Sequence, residues 1–166
     1  RGQRRDPAHD QPRALRLAHA TGEPWLELPV IVDAAALARS QGRTDVAREL
    51  LEGAARQCAG GAPAYRCLGV QLAQADLELA RYRPAQARAH ALAALREATA
   101  QAEWPQRRQA LYRLGEAERY RDGFAIARAY YHEYALADGT CEAQVDAADV
   151  DAEMLFDQHR VAAARW

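Results

Sequence analysis

The residues able to carry catalysis or hold a metal are few, and their spacing argues against both. The five histidines stand at positions 9, 19, 90, 132 and 159, and no two are four apart as a helical metal pair requires. The cysteines at 58, 67 and 141 contain no Cys-x-x-Cys. His132 and Glu133 are adjacent and so point in different directions on a helix. No nucleophile elbow, phosphate loop or dinucleotide fingerprint occurs, and Gly60-Gly61 is too short to cradle a phosphate. The expectation is a non-catalytic segment without metal or cofactor. What remains is arginine. Ala47-Arg48, Ala87-Arg88 and Ala127-Arg128 stand 40 residues apart. A ladder of guanidinium groups could grip an acidic strip. Helical spacing favours the plainer role of pairing along the helix, as between Arg48 and Glu52.

The elements that carry these arginines repeat with them. Each pair follows a breaker (Gly42; Tyr82-Arg83-Pro84; Asp122-Gly123) that separates two helical apolar stretches. The junction prolines 24, 63 and 105 recur at 39 and 42 residues. Eight helices are expected. They run at about 11–21, from Pro24 or Pro29 to Gln41, 45–59 capped by Thr44, 64–81, 84–102, 105–121 and 124–138, with a last one from Thr140 to the C-terminus. A fixed period in this range marks stacked helical hairpins, each burying the apolar face of its neighbour.

Composition agrees. Forty residues are Ala, whereas Val and Ile total nine, which favours an all-α chain. All 22 basic residues are Arg; Lys and Asn are absent, as a GC-rich bacterial genome would produce. The net charge of −1 gives no field toward nucleic acid or an anionic membrane. Five arginines crowd residues 1–16, and seven acids without a base occupy 138–157. Three irregularly spaced cysteines do not describe a disulfide framework, so reduced thiols and a cytoplasmic location are expected. No run of 18 apolar residues is present, and no membrane contact is expected. The chain opens without Met in what reads as the second helix of a hairpin, so it is expected to be an excised segment.

The third repeat carries a specific resemblance. Leu114-Gly115 followed by Gly123-Phe124, Ala127 and Tyr131 resembles the tetratricopeptide consensus. There Gly115 and Ala127 allow close helix approach, and Phe124 and Tyr131 fill the gap toward the next repeat. The 40-residue period is longer than that family's usual unit and is similar to the looser repeats of bacterial signalling proteins. The resemblance implies a right-handed superhelical solenoid over 11–138, about three hairpins with a leading helix, followed by an exit or capping helix at 139–166; residues 1–10 would be frayed. Leu155-Phe156-Asp157-Gln158-His159-Arg160 resembles exit helices that lead into output domains, chiefly GGDEF diguanylate cyclases and histidine kinases. That helix also offers a heptad of Val145, Ala148, Ala152, Leu155, His159, Ala162 and Trp166, which would support a homodimer, although capping of the last hairpin is favoured.

In tetratricopeptide domains the concave groove binds ligands through the first helix of each hairpin. Carried across, its positions are Asp33, Arg39, Asp76, Tyr112, Arg113 and Arg119. Arg113 and Arg119 would grip a carboxylate or phosphate and Tyr112 would stack on an apolar part. The favoured plainer role is surface charge, with Arg113 pairing Glu116 along the helix. The chaperone-tail clamp of the family needs Lys and Asn, which this chain lacks. The expected function is a non-catalytic regulatory input domain binding a peptide, protein or small effector. The second reading is a stand-alone adaptor in an assembly or secretion complex.

Overall fold

The computed structural model describes residues 26–138 together with Arg16, Ala20, Ala148, Ala152, Leu155 and Phe156. Apart from those six residues, the expected first and eighth helices, the heptad and the exit motif lie outside the described residues. Six helices cover 26–138: α1 Leu28–Ser40, α2 Thr44–Ala59, α3 Ala64–Ala80, α4 Pro84–Ala100, α5 Trp104–Arg119 and α6 Phe124–Asp138. Among the described residues every regular element is a helix, as the alanine content implies. Pro29, not Pro24, sits in the first turn of α1, where its missing N–H costs nothing. Thr44 begins α2 instead of capping it; the preceding position is Arg43, and no side chain caps there.

The five inter-helix turns share one backbone solution. In each, one residue enters the left-handed region and the next N–H returns to a carbonyl five residues back, closing a Schellman-type end. Gly42 (φ 74°), Tyr82 (φ 54°) and Asp122 (φ 59°) hold this place in the turns α1–α2, α3–α4 and α5–α6. The returning bonds are Arg43 N–H to Ala38 O at 2.9 Å, Arg83 N–H to Glu78 O at 2.8 Å and Gly123 N–H to Glu118 O at 2.9 Å. Gly61 (φ 101°) and Ala102 (φ 55°) do the same between hairpins. The missing turn glycine of the second repeat is therefore replaced by a tyrosine in the same geometry.

α1–α2, α3–α4 and α5–α6 are antiparallel hairpins, and the first helices also touch their counterparts: α1 with α3, and α3 with α5. The core is a series of small clusters that bridge successive helices. Leu68, Leu72, Ala94, Ala98 and Ala110, for example, join α3, α4 and α5. Ala47, Ala87 and Ala127, the alanines of the three repeated pairs, are all buried. One contact per hairpin shows how volume is balanced. Ala35 meets Leu51's cluster, Ala75 meets Ala91's, and in the third hairpin Gly115 lies under Tyr131. A Cβ on Gly115 would stand 2.7 Å from the tyrosine ring. Gly115 thus does permit close helix approach, and Tyr131 fills the notch inside its own hairpin.

The cysteines correct an expectation. Cys58 at the end of α2 and Cys67 in α3 form a disulfide with a Cα–Cα distance of 5.7 Å, within ordinary disulfide geometry. The chain reverses at Gly60-Gly61, and this reversal brings the two together across a sequence separation of 9. No helix among the described residues is long and apolar enough to cross a membrane.

Candidate functional site

The repeat period sorts the carried-over groove residues into rows. Asp33, Ala73 and Arg113 are equivalent, as are Ala36, Asp76 and Glu116, and Arg39, Leu79 and Arg119. All nine side chains are exposed or half-buried on the first helices, so they define one face. Tyr112 belongs elsewhere. It is equivalent to Leu72, which is buried against α4 and α5, and its own ring packs edge-on to Tyr131 at 5.8 Å and tilts toward Tyr134 at 5.6 Å. It occupies a stacking position, not the groove.

On the shared face charges are matched in pairs. Arg113 Nη2 donates to Asp76 Oδ2 at 2.7 Å, and its Nη1 donates to Gln109 O at 3.0 Å. This pair ties α3 to α5, so Arg113 pairs across the hairpins and not with Glu116 along the helix. Arg119 lies 3.7 Å from Glu116, which also accepts a hydrogen bond from the Tyr131 phenol. Burial and that carboxylate hold the Tyr131 phenol far above the ordinary tyrosine range. Burial, with help from Glu116, raises Tyr112 as well. Arg39 and Asp76 line a cleft of about 20 Å³, room for one water molecule. Asp33 is exposed, a turn and a half before Arg39 on α1. The structure therefore pairs Asp76 with Arg113, sets Arg39 on the same cleft as Asp76, pairs Arg119 with Glu116, and leaves Asp33 apart. Arg113 and Arg119 each face a carboxylate of the chain itself, in keeping with the favoured role of paired surface charge.

The arginines of the repeated pairs do not act alike. Arg48 lies 3.5 Å from Asp45 and 3.6 Å from Glu52 on its own helix. Arg88 instead reaches across to Glu118, donating through Nε. Glu118 is buried to 3 % exposure and also accepts from Arg121 at 3.1 and 3.3 Å. A Cβ on Gly123 would come within 3.0 Å of its Oε2, so the glycine makes room for the carboxylate. Sequence reasoning missed this pair. The signal was present: Arg48 and Glu78 stand 30 residues apart, as Arg88 and Glu118 do.

No family model, curated protein or solved structure matches this chain.

Proposed function

We propose that this chain is a non-catalytic binding scaffold, a superhelical array of tetratricopeptide-like hairpins that serves as a regulatory input domain. The observation that carries the reading is the 40-residue recurrence of the same turn at positions 42, 82 and 122. Hairpins repeated in register create an extended face from their first helices, and extended faces of this kind bind segments of other chains. The rows from Asp33 to Arg119 supply alternating charge, and Ala36 and Ala73 leave low ground between them. A peptide or protein segment with charges of both signs suits this face better than a purely acidic one. In the input-domain reading the segment following α6 passes the bound state to an output domain such as a diguanylate cyclase, without catalysis here. The stand-alone adaptor shares the same face and differs only in lacking that output.

Reduced thiols would support a cytoplasmic location. The Cys58–Cys67 disulfide removes that support, because such bonds persist mainly in oxidising compartments.

Panning a random peptide library on the purified chain tests the binding reading. Enriched peptides should lose affinity for Ala36→Arg, which places bulk on the exposed first-helix face. They should keep it for Ala129→Arg, also an exposed position, on α6. No enrichment, or loss with Ala129→Arg alone, overturns it.

A further inference from the structure

A second site lies outside the charged rows of the first-helix face, where the repeat leaves one cross-hairpin pair open. At the Arg88–Glu118 step the guanidinium bonds directly to the carboxylate. At the equivalent Arg48–Glu78 step it does not. The cause is in the sequence. Asp45 and Glu52 hold Arg48 from its own helix, whereas the equivalent positions beside Arg88 are Ala85 and Leu92. The two side chains that close the later step therefore stand apart here, across an open groove of about 440 Å³. Its polar walls are Arg48, Glu52, Gln74, Glu78, Arg81 and His90, and Leu51 and Leu77 give it an apolar floor. Arg48 Nε and Glu78 Oε2 are buried and have no hydrogen-bond partner. Among the described residues Glu78 is held by long ion pairs, 3.5 Å to Arg81 and 3.9 Å to Arg83. What faces the groove is the rest of each group: the Arg48 side chain is 41 % exposed and the Glu78 side chain 14 %, and their ion pairs of 3.5 to 3.9 Å are longer than good hydrogen bonds, so a ligand in the groove can offer each a closer partner.

We propose that this groove binds a free α-amino acid, its carboxylate taken by Arg48 and its ammonium group by Glu78. The zwitterion replaces the direct bond seen at Arg88–Glu118 by bridging the same two positions. The groove holds charges of both signs, three arginines with Arg83 against Glu52 and Glu78, so a dipolar ligand fits it better than a simple anion. Its volume falls in the range of small-molecule sites, with room over Leu51 and Leu77 for an amino-acid side chain. The site does not rest on the peptide-binding reading: its charged walls lie outside the rows Asp33 to Arg119, although Leu51 and Leu77 also border the Arg39–Asp76 cleft.

The experiment is an amide chemical-shift titration of the intact chain with each of the twenty free amino acids. Acetate and methylammonium serve as single-ended controls. We expect at least one amino acid to shift residues 48, 78 and 90 saturably, with neither control reproducing the shifts. Glu78→Gln should weaken binding roughly 10- to 100-fold, the value of one hydrogen bond to a charged group. Glu118→Gln, at the closed step, should leave it unchanged. The wild-type titration stands even if a variant fails to fold. The proposal is overturned if no amino acid shifts these residues, if acetate alone reproduces the shifts, or if a folded Glu78→Gln binds as tightly as the parent.

Discussion

Gly115→Ala and Gly69→Ala should have opposite signs although both replace a helical glycine. In a helix interior alanine gains about 1 kcal/mol over glycine. At Gly69 nothing opposes that gain, since the nearest atom to a new Cβ is Val32 Cγ2 at 4.0 Å. At Gly115 the new Cβ meets three Tyr131 ring atoms at 2.7 to 2.9 Å, about 1 Å inside normal carbon contact. The ring has nowhere to go. It is 1 % exposed, its phenol donates to Glu116, and Tyr112 lies against it. Overpacking of this kind costs about 1–3 kcal/mol, and displacing the phenol from Glu116 adds about 1 kcal/mol. The net is a loss of roughly 1–3 kcal/mol at Gly115 and a gain of about 1 kcal/mol at Gly69. Urea denaturation midpoints at equal slope measure both. Adding Tyr131→Leu to Gly115→Ala recreates the Ala35–Leu51 combination of the first hairpin and should recover most of the loss. If Gly115→Ala stabilises as much as Gly69→Ala, the Gly115–Tyr131 notch is not a fixed contact and the packing argument fails.

Three further outcomes follow from the turns, the disulfide and the groove. Ala102→Gly should raise stability by about 1 kcal/mol, because exposed Ala102 stands at φ 55° where only glycine is unstrained; an unchanged or lowered urea midpoint would contradict it. Reducing Cys58–Cys67 should cost about 2.6 kcal/mol from the small loop it closes, read as a fall in the denaturation midpoint with reductant that Cys58→Ser abolishes. Burial holds the His90 imidazole below 6.5, only partly offset by Glu78. Its folded state therefore binds protons less readily than the unfolded chain, and this contribution is full above pH 6.5 and lost as pH falls through the folded value. Stability should drop more steeply below pH 6.5 in the parent than in His90→Gln, and equal slopes would refute the shift.

The helical hairpins were legible because alanine, proline and turn residues recur at a period longer than any single helix. The positions of α2 to α6 follow from breakers whose chemistry is local. Tyr82 and Ala102 were not legible as left-handed residues, since neither type favours that conformation; the Schellman return bond imposes it. The disulfide was hidden for a related reason. A spacing of nine says nothing until the turn at Gly60-Gly61 folds α3 back along α2. Individual groove residues were legible only as far as the register goes. Asp33, Arg39, Asp76, Arg113 and Arg119 share rows on one face, while Tyr112 is one step out of that register and packs with Tyr131 and Tyr134. Pairings across hairpins, Arg113 with Asp76 and Arg88 with Glu118, depend on which helices touch. The sequence offers only a constant separation that both the bonded step and the open step share.

The most direct test of the binding scaffold is an amide chemical-shift map of the chain with a library-selected peptide. The account predicts perturbations that follow the rows Asp33–Ala73–Arg113 and Ala36–Asp76–Glu116 across all three first helices. Perturbations confined to α2, α4 and α6, or to a single hairpin, would contradict it.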